Sequence, residues 1–427
     1  MPRALIVSYY FPPAGGGGVQ RVLKLCKHLP AFGWDVDVLA PDDPKWVAHD
    51  PGLAAEIPSA TVVHRARYRG PSDERPAADV LAGARGLSGV ATRAGIYGRQ
   101  LLLPDPRVVW VPDAARAAAR IVRERSTNVV LTTSPPSSAH MVGSLVARRT
   151  GVPWVADLRD SWLANPHRRY EKRAVRAKRA LLEAMARRTF SRAAAITAVT
   201  ETIADEARVL APAGTPTTVI SNGCDFDEFA GLRHEPSERL RILHAGFFFG
   251  KRTPRPFLEA LRGLLAHRPE LRDVIEARFV GGFRTADREW AETLGLGSAV
   301  RIDGFLPHDR ALAEMKNADA LLLLIPRSGG LGTSVLSGKL FEYLAAERPV
   351  LALVPPEGIA ADLLRSTGFA YIADPDDVGA IRTRLEEVVE AWRSGSLGDR
   401  PLAADLRERL DRRTRAAEMA DVLRSVA

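Results

Sequence analysis

The sequence has no long hydrophobic run and almost no cysteine. No apolar segment approaches the roughly 20 residues that a membrane-spanning helix needs, and a strand pattern begins at residue 5 without a preceding signal peptide. The two cysteines, Cys26 and Cys224, are far apart in sequence and fit no metal-binding pattern, so we expect neither a zinc site nor a disulfide. These absences favour a cytoplasmic protein without a cysteine-based metal site.

Length and charge narrow the class of protein further. A chain of 427 residues is too long for one hydrophobic core, and we expect two domains. The formal net charge is +9, and residues 165–192 contain ten Arg and Lys residues against two Glu residues. This basic segment predicts either a peripheral contact with an anionic membrane or a solvated helix face. No nucleic-acid-binding motif accompanies the charge, so we expect no nucleic acid partner.

The chain opens with a strand, a glycine loop, a helix and a second strand. Four consecutive glycines at 15–18 separate the strand at 5–10 from the helix that follows, which is a βαβ pattern. It is not the dinucleotide-binding fingerprint, because the glycines are not spaced and no acidic residue ends the second strand. Glycines let a ligand approach the backbone closely. The loop is therefore a candidate ligand site through Gly16, Gly17 and Gly18, with a merely flexible loop as the alternative.

Candidate catalytic side chains follow two later strands of the first half. Arg159 and Asp160 lie just after the apolar segment 152–156, and the carboxyl ends of parallel strands are where α/β sheets bind ligands. The alternative for this polar run is a helix cap plus a buried ion pair. His140 near the start of a predicted helix is the third candidate, although a lone histidine there is more often a packing or capping residue.

A cationic turn opens the second half of the chain. Lys251 and Arg252 follow a strand predicted at 241–246 and precede a helix predicted from about residue 255. Arginine offers two donors in one plane, lysine adds a point charge, and a helix N-terminus adds its dipole. The turn is therefore a candidate diphosphate clamp, with an ordinary surface turn as the alternative.

A small-residue loop and a short helix form the most informative segment. Lys339 and Glu342 are three residues apart and so share one face of the predicted helix. Loop amides and a helix N-terminus attract phosphate, and a carboxylate can accept hydrogen bonds from a ribose diol. The candidate nucleotide-binding residues of this segment are Gly332, Thr333, Ser334, Lys339 and Glu342. The alternative is an amphipathic helix with a solvated lysine and glutamate.

Three segments resemble a known family. G-K-L-F-E-Y-L-A at 338–345, followed by R-P-V-L-A at 348–352, resembles the donor-binding segment of family 4-like glycosyltransferases. T-S-P-P-S-S-A-H at 133–140 and V-A-D-L-R-D-S-W at 155–162 resemble a bacterial subgroup that decorates polysaccharides and lipid-linked sugars. This resemblance implies the GT-B fold, an α/β architecture in which two Rossmann-like domains with doubly wound parallel sheets face each other across a cleft.

The resemblance also implies domain limits. It places an acceptor-side domain at 1–232, a nucleotide-sugar donor domain at 233–400, and a C-terminal helix at 401–427 that packs back on the first domain.

The resemblance further implies an activity. It predicts retaining, metal-independent transfer of a sugar from a nucleoside-diphosphate sugar, such as a UDP-sugar, to an acceptor hydroxyl, with no other cofactor. The acceptor would be a sugar, a lipid-linked sugar or a small molecule in glycoconjugate, polysaccharide or secondary-metabolite synthesis.

The chain departs from the family pattern at two places. Ser334 stands where the family has a second glutamate, and Arg159 or Asp160 stands where many relatives have a histidine. A GT-B epimerase or hydrolase, or an inactive sugar-nucleotide-binding partner, are therefore kept as alternatives.

Overall fold

The computed structural model describes residues 1–44, 46, 48–70, 102–163, 173–248 and 250–427. These residues form two compact units. Unit 1 comprises Met1–Ser221 and Arg413–Ala427, and unit 2 comprises Asn222–Arg412. Residues 165–172 of the basic segment lie outside the described residues.

Strands and helices alternate along most of the chain. The strands are β1 (Arg3–Ser8), β2 (Asp35–Pro41), β3 (Val62–Ala66), β4 (Val129–Thr133), β5 (Trp154–Leu158), β6 (Ala195–Ala198), β7 (Thr217–Val219), β8 (Leu240–Ala245), β9 (Ile275–Val280), β10 (Val300–Ile302), β11 (Ala320–Leu324), β12 (Val350–Leu353) and β13 (Ala370–Ala373). The α-helices are α1 (Gly17–His28), α2 (Val111–Glu124), α3 (Ala139–Thr150), α4 (Arg173–Phe190), α5 (Glu201–Leu210), α6 (Arg255–His267), α7 (Thr285–Thr293), α8 (His308–Asn317), α9 (Gly338–Ala346), α10 (Ile359–Thr367), α11 (Val378–Arg393), α12 (Ala404–Leu410) and α13 (Arg412–Val426).

Each unit is built on a parallel sheet. The strand order is β3-β2-β1-β4-β5-β6-β7 in unit 1 and β10-β9-β8-β11-β12-β13 in unit 2. Central strands such as β4 and β11 are buried along their whole length, because helices cover both faces of a parallel sheet. The doubly wound α/β architecture expected from the sequence is confirmed.

The chain changes unit twice. Phe226 and Phe229 pack in the core of unit 2, as do Leu402, Leu406 and Leu410. Residues 222–232, expected in the first domain, and residues 401–412, expected in the crossing helix, therefore belong to unit 2. Helix α13 lies in unit 1, where Met419 and Leu423 share a hydrophobic core with Val22 and Trp34.

Each sheet has a switch point, which is the place where the strand order reverses direction. It lies between β1 and β4 in unit 1 and between β8 and β11 in unit 2. The connections on either side of such a point leave the sheet in opposite directions, and α/β proteins bind ligands at the carboxyl ends of the two strands. The candidate residues of both halves lie on segments that follow these strands or contact the segments after them.

Candidate active site

Helix α9 presents one polar edge in an otherwise buried element. All of its residues are buried except Gly338, Lys339 and Glu342. Lys339 Nζ lies 3.9 Å from Glu342 Oε2, and both side chains are mostly covered. The first amides of a helix have no acceptor within it, and the first turn of α9 contains no acidic side chain. The helix therefore presents a positive end and a lysine together, which argues against a fully solvated lysine and glutamate.

The strand end after β8 lies directly against this lysine. A Cβ atom at Gly246 would overlap the Cε of Lys339, and a Cβ atom at Gly281 would overlap the carbonyl oxygen of Gly246. Only glycine at these two positions leaves room for the lysine methylenes and for the neighbouring backbone. Gly246 and Gly281 were not among the residues singled out from the sequence, because the close approach joins segments that are distant along the chain.

Arg252 shares the electrostatic environment of Lys339. Burial lowers the pKa of Lys339, Arg252 lowers it further, and Glu342 raises it. Burial also lowers the pKa of Arg252. Two neighbouring cations that are poorly solvated destabilise each other, and a bound anion would offset both costs. Lys339, Glu342 and Arg252 are therefore brought together, and the group suits a polyanionic ligand.

The remaining candidates of unit 2 differ in their exposure and in their local contacts. Lys251 is exposed to solvent. The hydroxyl groups of Thr333 and Ser334 donate within their own turn, to the carbonyls of Gly330 at 2.7 Å and Leu331 at 3.2 Å. A Cβ atom at Gly332 would overlap the carbonyl oxygen of Pro326. The side chains of this loop therefore hold its shape, and backbone amides are what it can offer a ligand.

Two buried side chains of unit 2 were missed by the sequence reasoning. The hydroxyl of Tyr343 accepts a hydrogen bond from the Ala245 amide at 3.0 Å. The Nδ1 of His244 lies 2.8 Å from the carbonyl oxygen of Leu322. Tyr343 directly follows Glu342 in the recognised segment, but nothing in the local pattern indicates that it reaches β8.

In unit 1, Arg159 holds the glycine loop at the switch point. Its Nη1 donates to the carbonyl of Gly18 at 3.0 Å, its Nε donates to the carbonyl of Ser134, and its amide donates to the Ser134 hydroxyl at 3.2 Å. Gly16 has a φ of 83°, a left-handed conformation that glycine adopts without strain, and α1 begins at Gly17. Arg159 therefore connects the ends of β1, β4 and β5, and Asp160 is exposed beside it.

The neighbouring Asp157 is the buried ion pair that the alternative for this polar run anticipated. Its carboxylate accepts two hydrogen bonds from Arg21, at 2.9 and 2.8 Å, and one each from Thr133 and Thr197, both at 2.8 Å. Burial raises the pKa of Asp157, but Arg21 and the hydroxyl donors outweigh it and hold the pKa below its ordinary value. Asp157 therefore stabilises the junction of α1 with the sheet.

His140 lies in the core of unit 1 and is not accessible. Its Nδ1 is 2.8 Å from the Thr132 hydroxyl, which also accepts from Trp154 Nε1, and its ring packs near Trp162 and Phe190. Burial lowers the pKa of His140 to about 3. His140 therefore has the enclosed position that the packing alternative anticipated.

Among the residues that the structure describes, no three His, Cys, Asp or Glu side chains are grouped so as to hold a metal ion. None of the helices described combines the length and the apolar character that crossing a membrane requires.

Several solved structures share this fold. Sucrose-phosphate synthase from Thermosynechococcus elongatus matches with a TM-score of 0.66 and 17% identity, over 100% of this chain and 99% of that one. HepE from Anabaena, in complex with UDP and glucose, matches with a TM-score of 0.64 and 15% identity over 100% of both chains. A UDP-forming α,α-trehalose-phosphate synthase from Burkholderia xenovorans matches with a TM-score of 0.65 and 12% identity, over 100% and 99%. The chain therefore has the GT-B fold.

A family model matches the first half of the chain. Residues 16–223 match the glycosyl transferase 4-like domain, whereas no curated protein sequence matches the chain. This match covers just under half of the chain, and it agrees with the resemblance of the sequence segments to family 4-like glycosyltransferases.

Proposed function

We propose that this glycosyltransferase moves a sugar from a nucleoside-diphosphate sugar to an acceptor hydroxyl, with retention of anomeric configuration and without a divalent metal. The observation that carries the proposal is the grouping of Arg252, Lys339 and Glu342 beside the switch point of unit 2. UDP and glucose in the HepE complex, and the UDP-forming trehalose-phosphate synthase, support a nucleotide-sugar donor.

The cations of unit 2 would stabilise the leaving group. As the bond between the anomeric carbon and the diphosphate oxygen breaks, negative charge accumulates on the diphosphate. Arg252, Lys339 and the N-terminus of α9 are placed to neutralise it, which is the role that a metal ion has in other enzymes. Glu342 would accept hydrogen bonds from the ribose diol. In this proposal the donor needs no further cofactor.

The acceptor hydroxyl would attack from the face that the diphosphate leaves. The new bond joins the acceptor oxygen to the anomeric carbon, and a diphosphate oxygen takes the hydroxyl proton. Retention rests on the resemblance to the family. On the side of unit 1 we assign Gly16, Gly17, Gly18, Arg159 and Asp160 to substrate contact, because they lie at the switch point of that sheet. A sugar, a lipid-linked sugar or a small molecule in glycoconjugate or polysaccharide synthesis would be the acceptor.

An aromatic pair in unit 2 supports a place for the base. Phe305 follows β10 and is 40% exposed, which is unusual for a large apolar side chain. Its ring centroid lies 6.1 Å from that of Phe247, which follows β8. Aromatic rings bind nucleobases by stacking. The pair would receive the donor base without selecting one.

The basic segment supports a location at the inner face of the membrane. The exposed side chains of α4 and of the turn after it include Leu181, at 51%, and a set of arginines, namely Arg176, Arg179, Arg187, Arg188 and Arg192. Arginines with an exposed apolar residue suit an anionic bilayer surface, and the protein would then be cytoplasmic and peripheral. Co-sedimentation with phosphatidylglycerol vesicles but not with phosphatidylcholine vesicles is the expected result, and equal recovery with both would favour a solvated helix face.

Donor turnover tests the proposed reaction. The protein is incubated with UDP-, GDP- and dTDP-sugars, with and without candidate acceptors and with EDTA present. Release of nucleoside diphosphate that depends on the acceptor supports glycosyl transfer, and Lys339→Gln should suppress it. Equal release without an acceptor would indicate a hydrolase, and interconversion of the donor sugar would indicate an epimerase.

A further inference from the structure

The two central strands of unit 2 separate before they end. Strand β8 pairs with β11 at Ile242 with Ala320 and at Leu243 with Leu321, and the pairing goes no further. On its other side β8 pairs with β9 as far as Ala245. In a continued parallel ladder the amide of Ala245 would donate to the carbonyl of Leu322. Strands β8 and β11 therefore separate at the switch point, one hydrogen bond of the ladder before the end of β8.

A tyrosine hydroxyl takes the place of the missing hydrogen bond between the two strands. Tyr343 Oη accepts from the Ala245 amide at 3.0 Å and lies 3.5 Å from the Leu322 carbonyl oxygen, to which it donates. The same carbonyl accepts from Nδ1 of His244 at 2.8 Å. Tyr343 and His244 are both buried. The backbone groups that the ladder leaves unpaired are thus satisfied by two side chains.

Packing alone does not require this hydroxyl. A phenylalanine would fill nearly the same volume. If β8 and β11 stayed paired, the Ala245 amide would donate to the Leu322 carbonyl, and neither group would need a side-chain partner. A buried amide left without an acceptor is costly. The hydroxyl is therefore needed only if the strands are to stay apart.

The hydroxyl also fixes the helix that carries the phosphate-binding lysine. Tyr343 is one helical turn after Lys339 on α9, and Ala245 directly precedes Gly246, the residue that lies against the Lys339 side chain. The bond from Ala245 to Tyr343 thus joins the end of β8 to α9. It sets how close Lys339 comes to the turn that carries Arg252.

We propose that Tyr343 is a positioning residue, a wedge whose hydroxyl holds β8 and β11 apart and seats Lys339 and Arg252 for the donor diphosphate. His244 supports the wedge by holding the Leu322 carbonyl. This inference rests on the proposed function, since it assigns Tyr343 to the same donor site.

The test compares Tyr343→Phe with Tyr371→Phe, which removes a hydroxyl from β13 of the same sheet. Isothermal titration gives the Kd of UDP, GDP and dTDP and of the matching monophosphates. For the diphosphate that wild type binds, we expect Tyr343→Phe to raise the Kd by about 5- to 30-fold, the effect of losing one buried hydrogen bond. The monophosphate, which makes fewer contacts with the cations, should change less than about twofold if the hydroxyl acts through them.

The outcomes separate the wedge from the donor site itself. If wild type binds none of the three diphosphates, both the proposed function and the wedge are wrong. If wild type binds one diphosphate and Tyr343→Phe binds it with the same Kd, only the wedge is wrong. The same holds if Tyr343→Phe raises the Kd of the monophosphate and of the diphosphate by the same factor. Should Tyr343→Phe fail to fold, Gly246→Ala is the second variant, because its methyl group would displace the Lys339 side chain, at a backbone φ of 157° that also disfavours alanine. The wedge predicts the same diphosphate-selective loss for that variant, and an unchanged Kd would overturn it.

Discussion

At the scale of single residues, the Asp157 carboxylate joins three elements of unit 1. Arg21 comes from α1, Thr133 ends β4 and Thr197 lies on β6, and all three donate to it. A charge enclosed in this way is tolerated because donors surround it. Removing the carboxylate would leave the buried Arg21 guanidinium without the anion that pairs with it.

Asp157→Asn should lower the free energy of unfolding by about 3–5 kcal/mol, the cost of breaking a buried ion pair. The control is Asp205→Asn, where the carboxylate is 67% exposed and the change should stay within about 0.5 kcal/mol. Because its pKa is lowered in the folded state, Asp157 contributes stability above the ordinary aspartate pKa of about 4 and loses it as the pH falls further. Urea denaturation at pH 7 and pH 3.5 measures both effects. Equal losses for the two variants would contradict the role of the pair.

Glu342 is the carboxylate on the polar edge of α9. Glu342→Ala should weaken donor binding by about 1–3 kcal/mol if the side chain accepts charged hydrogen bonds from the ribose. Titration with the nucleotide sugar that stabilises wild type measures the loss. Glu386→Ala, an exposed carboxylate on α11, serves as the control. An unchanged dissociation constant for Glu342→Ala would exclude the contact with ribose.

His140 should contribute to the stability of the protein and not to its rate of turnover. Its folded-state pKa of about 3 lies below the ordinary value of about 6.5, so the unfolded chain binds a proton first as the pH falls. Stability is therefore lost from about pH 6.5 downward, by up to about 1.4 kcal/mol per pH unit. His140→Gln should flatten this dependence and keep most of the activity. A large fall in turnover with an unchanged melting temperature would restore a catalytic role.

At the scale of elements, two helical glycines make opposite contributions. Gly143 on α3 lies so close to Trp154 that a Cβ atom would overlap the indole, whereas a Cβ atom at Gly263 on α6 would meet only the end of Arg382, at 3.8 Å. Close packing against a rigid ring leaves no space for a methyl group. An open position allows alanine its better helix propensity.

The two substitutions form a matched pair. Gly143→Ala should destabilise unit 1 by about 1–3 kcal/mol through overpacking, and Gly263→Ala should stabilise unit 2 by about 0.5–1 kcal/mol. Thermal unfolding followed by circular dichroism measures both. A change in stability of the same sign for the two variants would contradict this account of the local packing.

Sequence patterns predict elements better than contacts between them. The apolar run of β11 and the alternation of strands and helices were sufficient to predict parallel sheets. The Tyr343 wedge was not predictable, because it depends on where β8 and β11 part, and His244 and Leu322 are 78 residues apart. The helix that carries His140 was predicted near its true start, but which side chains of that helix face the core depends on Trp162 and Phe190, which come later in the chain.

At the scale of the whole molecule, the chain returns to unit 1 at its end. Met419 and Leu423 of α13 are fully buried and share a core with Val22 and Trp34. A chain ending at Arg412 should lose about 4 kcal/mol or more from unit 1, since two large apolar side chains leave the core. A chain shortened only by residues 425–427, which are not buried, is the control. Equal melting temperatures for both would contradict the docking of α13.

The central claim concerns how unit 2 holds an activated sugar. Arg252, Lys339 and Glu342 are predicted to bind its nucleoside diphosphate together, and a ligand that binds only the folded state raises the melting temperature. The most direct measurement is a thermal-shift screen of UDP-, GDP- and dTDP-sugars against wild type and the Arg252→Gln/Lys339→Gln double variant. We expect one nucleotide family to stabilise wild type and to have no effect on a folded double variant. Equal stabilisation of both proteins would contradict the account.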